Sequence, residues 1–292
     1  MLNLKQLYQT GTAVNPIQSQ QLGRYLYLID PEAASQSIPC HWLKLQQQGV
    51  NSAYERSFMH ELQCYADLNR LEAEYGLEIT LPFRVLEASQ TLDFPDGFVP
   101  QALLLGEASA HFNNATLLAL ASSHFSDVGE QQLLARQHSK ILHHLIQSSQ
   151  VLAHLHHVGY LHGDLKPEHF RTQAGQCYLI DFEQATRIDL AKPLSHAATP
   201  RYMAPELFHG EAKSQQSDIY ALGIIWYEWL TQRRIQHKTY LDWAKWHCQH
   251  FQIELSPQFQ PLMAVLKRML CKNKANRYAN IHEIKQGLSR IV

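Results

Sequence analysis

Apolar residues in the first hundred or so positions come in short runs set off by turn-forming residues. YLYLID (25–30), HWLKL (41–45), LPFRVLEA (81–88) and QALLLGEA (101–108) each have the length and the bounds of a strand. Between the second and third runs, Phe58, Leu62, Tyr65, Leu68 and Leu71 recur at steps of three and four. That spacing predicts one long helix over residues 52–75 with a single apolar stripe. From about residue 112 onward the pattern turns mostly helical. QQLLARQHSKILHHLIQSSQVLAHLHHVGY reads as a long helical segment stopped at Gly159, and HFRTQAGQCYLIDFE as a short hairpin turning at Ala-Gly. IYALGIIWYEWL (219–230) is apolar on nearly every side and predicts a buried helix, while YLDWAKWHCQH (240–250) predicts an amphipathic core helix. Strands first and helices after predict an α+β chain with a small sheet lobe and a larger helical lobe.

Composition narrows the function classes. The chain has 292 residues, 45% hydrophobic and 17% charged, with a net charge of −1. Such a balance offers no electrostatic footprint for nucleic acid or an anionic membrane. Five cysteines without a CxxC pair argue against a disulfide framework and against structural zinc. The start, MLNLKQLYQTGTAVN, lacks the basic end and apolar core of a signal peptide, and the run at 219–230 is too short to span a bilayer. A cytoplasmic protein without membrane insertion is the expectation.

The candidate chemistry lies in HGDLKPEHF (162–170). Phosphoryl transfer needs a base near the acceptor hydroxyl, a cation near the transferred phosphate, and oxygen ligands for a metal. Asp164 and Lys166 supply the first two. HGDLKP (162–167), LIDF (179–182), ATPRYMAPE (198–206), SDIYALG (217–223) and Arg277 in NKANRYAN follow in order. With these motifs the chain resembles the protein-kinase superfamily, most closely the serine/threonine protein kinases. The resemblance implies a bilobal protein-kinase-like domain over 1–292, with an N-lobe of antiparallel sheet plus one helix at about 1–106, a hinge at about 105–110 and a mostly helical C-lobe at about 111–292.

It also implies roles. Asp164 takes or orients the acceptor hydroxyl's proton, and Lys166 steadies the γ-phosphate of ATP. Asp181 binds Mg²⁺. Lys44 holds the α- and β-phosphates, Glu61 pairs with Lys44, and the hinge at Glu107 and Ala108 reads the adenine. Thr199 links the catalytic loop to the acceptor site, Asp218 braces the loop backbone, and Arg277 pairs with Glu206. The implied partner is a protein substrate with a Ser or Thr acceptor.

Several residues depart from the family pattern. Gly163 stands for the arginine that usually holds a phosphorylated activation loop, so activity is expected not to depend on phosphorylation there, with Ser195 the most plausible site. Glu183 replaces a glycine and loses its flexibility. The glycine-rich loop is reduced to NPIQSQQLGR, with Gly23 alone. Trp42 and Arg171 fall at the adenine slot, where either stacks on a purine or blocks it. His169 stands where an asparagine would bind metal. The lipopolysaccharide-core sugar kinases resemble this chain in that respect, in the pattern His162, Asp164, His169, then Ile180, Asp181, Glu183. His169 and Asp181 therefore read as a variant metal site, in which nitrogen would favour Mn²⁺ beside Mg²⁺. The remaining histidines, at 143–144 and 154–157, read as structural. The reading is a cytosolic serine/threonine protein kinase of bacterial type. Its rivals are a pseudokinase binding module and a sugar-type small-molecule kinase.

Overall fold

The computed structural model describes residues 4–5, 12–29, 41–89, 94–106, 110–111, 130–191 and 199–291. They divide into two compact units: Met1–Gly76, Thr80–Ser109 and Ile180–Glu183 form the first, and Leu77–Ile79, Ala110–Leu179 and Gln184–Val292 the second.

In the first unit, α1 (Ile17–Gln21) leads into β1 (Arg24–Ile29), followed by β2 (His41–Gln46), α2 (Ser52–Tyr75), β3 (Phe83–Glu87) and β4 (Gln101–Gly106). The strands form one antiparallel sheet in the order β1-β2-β4-β3, with Lys44 opposite Leu26 on one side and Leu103 on the other. Alternation along β2 sends Leu43 and Leu45 into a core with Tyr27, Phe98, Ala102 and Leu104, and leaves Lys44 on the opposite face. The 52–75 helix occurs with those bounds. Asn51 caps it by accepting from the amides of Ala53 and Tyr54, and Gly76 ends it at a positive φ of 63°. Its buried stripe contains one charged residue, Glu61.

The second unit holds β5 (Ala110–His111), α3 (Glu130–His157), β6 (Tyr160–Leu161), β7 (Phe170–Gln173), β8 (Gln176–Leu179) and β9 (Thr186–Arg187). Then come α4 (Pro205–Phe208), α5 (Gln215–Thr231), α6 (Tyr240–Lys245), α7 (Met263–Met269) and α8 (Ile281–Ser289). The predicted hairpin is β7–β8, turning through Ala174 and Gly175 with φ of 50° and 81°. Two positive values match the twist of the flanking strands.

Helix α5 is buried almost all round, and the indole of Trp226 donates to Ser148 on α3 at 3.0 Å. The stretch 240–250 is not one regular helix: α6 has six residues and gives way to a wider π-type turn at Trp246–His250. That turn carries His247 inward, where Nε2 lies 3.1 Å from the Pro200 carbonyl and Nδ1 2.9 Å from the Tyr220 hydroxyl. A carbonyl only accepts, so Nε2 donates and the tyrosine donates to Nδ1. Burial pushes this imidazole down to about 3, so it stays neutral.

Two boundaries differ from the expected lobes. Ile180–Glu183 groups with the sheet unit, and Leu77–Ile79 with the helical one. The second follows from the Leu179 amide, which donates to the Ile79 carbonyl at 2.8 Å. The first follows from the Glu183 contacts described below. No helix among the described residues is long and apolar enough to cross a membrane.

Gly223 in α5 lets α7 approach. A Cβ there would lie 2.9 Å from Leu270 Cδ2 and 3.1 Å from Met269 Cβ. Gly223→Ala is therefore expected to destabilise the protein by about 1–3 kcal/mol through overpacking, although alanine is the better helix former. A denaturant-unfolding midpoint at or above wild type would show that the two helices can part.

Candidate active site

Within the first unit, Lys44 on β2 points at three carboxylates. Its Nζ lies 2.7 Å from Glu61, 2.6 Å from Glu183 and 3.5 Å from Asp181. Glu183 is held twice more, by the Ser57 hydroxyl at 2.6 Å and by the Arg24 guanidinium. Arg24 is itself buried. Its Nε donates to Gln46 at 2.8 Å and its Nη2 to the Tyr54 carbonyl at 3.0 Å, and the guanidinium lies 5.2 Å from the centre of the Phe58 ring. Phe182 is fully buried and meets Tyr65 edge-on at 5.0 Å. These contacts fasten 180–183 to the sheet unit. Asp181 takes a φ of 67°, unusual for a residue with a side chain, so the segment is strained as well as tied.

Three carboxylates and two cations leave this cluster one negative charge over. Burial opposes the charge on Lys44, but Asp181, Glu61 and Glu183 outweigh it and raise the ammonium above the ordinary lysine value. Glu61 is pushed up to about 7, first by burial and then by Glu183 and Asp181, against the pull of Lys44. Glu183 moves the other way: burial would raise it, yet Lys44 and Arg24 bring it below the usual range. The two glutamates share one lysine, and Glu183 has the better-provided side. Carboxylate oxygens of Glu61, Asp181 and Glu183 come within 4.8 Å of one another, a set of hard oxygen donors of the kind Mg²⁺ or Mn²⁺ accepts.

Within the second unit, Asp164 accepts from the Thr199 amide at 2.8 Å on one oxygen, and the Lys166 ammonium stands 3.0 Å from the other. Thr199 thus reaches the loop through its main chain. Burial alone would raise Asp164, but Lys166, His169 and the Thr199 amide hold it below the usual carboxylate range, so it is an ionised base at neutral pH. The loop around it is shaped by Asp218, which accepts from the amides of His162 (2.9 Å) and Gly163 (3.0 Å) and from His156 Nε2 (3.0 Å). His169 closes a short 3₁₀ turn, is buried, and stacks on the His162 ring at 5.3 Å. Arg171 on β7 is buried too, and Trp42 on β2 is half-buried. Glu206 and Arg277 form a buried two-pronged ion pair, both bonds 2.6 Å.

Lys44, Glu61 and Asp181 are therefore together in one unit, and Asp164, Lys166, His169 and Thr199 in the other. Glu107, Ala108 and Ser195 lie outside the described residues. Where a glycine-rich loop would precede β1, the chain instead forms α1, with Asn15 bonded to both the amide of Leu26 and the carbonyl of Arg24. The sequence marks Glu183 as a lost glycine and as the last residue of the sugar-kinase-like pattern, but gives it no partner. Its signal was there in Arg24, a cation on an apolar strand, and in Ser57, one helical turn before Glu61.

Removing the Glu183 charge by Glu183→Gln is expected to lower stability by about 2–3 kcal/mol, because Arg24 keeps its charge without the carboxylate. The same change should move the Glu61 titration below about 7, since Glu183 is one of the groups that raise it. Wild type should lose stability relative to Glu61→Gln as pH rises from 4.5 to about 7, because the unfolded chain ionises first. Carboxyl NMR titration and unfolding at several pH values check all three; a Glu61 titration unmoved by Glu183→Gln would separate the two groups.

Residues 116–288 match the Protein kinase domain family. Lys44 and Glu61 precede the matched stretch. Serine/threonine-protein kinase PknD of Chlamydia pneumoniae is 30% identical over 165 residues, 47% of this chain and 17% of that protein. Serine/threonine-protein kinase AtPK1/AtPK6 of Arabidopsis thaliana is 32% identical over 151 residues, 46% of this chain and 30% of that protein. Serine/threonine-protein kinase PknA of Mycobacterium tuberculosis is 32% identical over 141 residues, 46% of this chain and 32% of that protein. The chain thus spans under a third of the length of each of these relatives. With more than half of its length matched, and the loop, ion pairs and buried helix in place, the chain belongs to the protein kinase domain family.

Proposed function

We propose that the protein transfers the γ-phosphoryl group of ATP to Ser or Thr hydroxyls of a protein substrate. The observation that carries this reading is the state of Asp164: half-buried, ionised, and held on both oxygens by Lys166 and the Thr199 amide. A chain that had given up transfer would have no need to keep a base so positioned. Thr199 ties the acceptor side of the site to that base, and the serine/threonine kinases among its relatives support the acceptor class.

In this reading the acceptor hydroxyl docks against Asp164, which takes its proton as the new bond forms, while Lys166 faces the negative charge spreading over the phosphoryl oxygens. Lys44, kept charged by its carboxylates, holds the α- and β-phosphates. Asp181 and His169 would hold the divalent cation, which when bound neutralises phosphate charge. A carboxylate oxygen suits Mg²⁺, and an imidazole nitrogen suits Mn²⁺ better. Glu107 and Ala108 would meet the adenine, and the cytoplasm, where ATP and reduced thiols coexist, is the natural compartment.

A second reading is a nucleotide-binding module without transfer. It is favoured by Glu183, which already occupies the Lys44 ammonium that phosphates would need. Labelled ATP separates the two: label on an acceptor protein supports the kinase, and nucleotide binding without transfer supports the module.

Asp164→Asn is expected to lower kcat by about 10²- to 10⁴-fold with nucleotide affinity nearly unchanged, since it removes a base and not a phosphate contact. Wild-type turnover in that variant would displace Asp164 from its role. If His169 ligates the metal, initial rates with Mn²⁺ should at least match those with Mg²⁺. His169→Asn should then shift preference toward Mg²⁺, and His169→Ala should weaken both. Equal rates for His169→Ala and wild type with both ions would leave the imidazole a structural part.

A further inference from the structure

Gly163 is the residue before the proposed base, and its surroundings are unusual. Its φ is +75°, and a Cβ built on it would lie 2.6 Å from the Gln184 carbonyl oxygen and 2.7 Å from both Cδ and Nζ of Lys213. The space a side chain would need is already filled, by a lysine from a segment some fifty residues further on. Lys213 is buried, its side chain reaching Gln184 twice: Nζ lies 3.2 Å from the carbonyl oxygen and 3.4 Å from Oε1. Burial lowers the ammonium, while Asp218 and Asp164 oppose that shift. The cation therefore sits in the field of the carboxylate that shapes the loop and of the one proposed to do chemistry.

Three elements meet at this ammonium. The catalytic loop contributes Gly163, the stretch after Glu183 contributes Gln184, and Lys213 comes from just before α5, whose Asp218 takes the loop amides. Arginine at 163 would place a guanidinium from within the loop, and it would collide with Lys213 and Gln184. Glycine at 163 and lysine at 213 are two parts of one solution: the positive charge is delivered from outside the loop into a gap that only glycine leaves.

We propose that Lys213 is the positioning cation of the catalytic loop: seated over Gly163, it ties the loop to Gln184 and fixes where Asp164 stands, without any phosphorylated residue. The inference rests on the kinase reading for its effect on turnover, but the tie itself does not. The tie is internal to the chain, so the start of the activation segment is held to the loop without an added phosphate.

The test compares wild type with Lys213→Met, which keeps length and loses charge, and Lys213→Arg, which keeps charge. Transfer to casein and amide hydrogen exchange over residues 184–187 are measured in each. Lys213→Met should lower kcat about tenfold, the effect of one charge-assisted hydrogen bond, with KM for ATP unchanged and exchange at 184–187 faster. Lys213→Arg should recover at least part of both. Phosphatase treatment of wild type should leave kcat as it was.

A thermal-unfolding cycle gives a readout free of activity: Gly163→Ala should cost less in a Lys213→Ala background, because half of the collision is gone. Unchanged exchange in Lys213→Met, unchanged kcat despite faster exchange, an enzyme silenced by phosphatase, or additive losses in the cycle each overturn the proposal. If wild type transfers no label at all, the kinase reading fails by itself, and exchange and the cycle still decide whether Lys213 holds the loop.

Discussion

Asp218 sits buried in the first turn of α5, where a carboxylate stripped of water costs several kcal/mol unless donors take the water's place. Two of its donors are consecutive main-chain amides, those of His162 and Gly163, and the third is His156 at the end of α3. Two successive N–H groups can converge on one acceptor only if the backbone curls, and Gly163 takes the positive φ that this requires. The helix N-terminus adds its own partial positive charge to the same carboxylate. Loop, helix and proposed base are thus fixed by satisfying one buried charge.

The sheet unit meets the opposite problem. There, charges outnumber their partners: Glu61, Asp181 and Glu183 crowd around Lys44, with Arg24 drawn in beside them. Such a cluster is stable only if someone bears the excess, and Glu61, the most buried member, does so by holding its proton more tightly. A rigid ladder of pairs is replaced by a shared network whose balance shifts when any one charge changes.

Short apolar runs closed by turn residues were enough to find the four strands, and the three- and four-residue spacing of one buried stripe was enough for the 52–75 helix. Ordered motifs were enough for the family and for the loop that holds Asp164 and Lys166. What stayed hidden depends on convergence of distant residues. Nothing adjacent to Glu183 announces Arg24, and nothing adjacent to Gly163 announces Lys213. The change from α6 to a wider turn has the same origin: His247 is aimed by Pro200 and Tyr220, which no local pattern around 240–250 contains. The short helix at 17–21 was missed for another reason. It buries no residue, so it leaves no apolar signature.

The Glu206–Arg277 pair has a consequence for how this chain can vary. Both side chains are almost wholly withdrawn from water, and each accounts for the other's charge. Losing either one strands its partner in a medium that tolerates no lone ion, whereas an apolar pair of matched size in both places could be accommodated. Any lineage leaving this arrangement must therefore cross a valley, with two substitutions needed before either is tolerable. The two positions, seventy-one residues apart in the chain, are thus bound to be exchanged together.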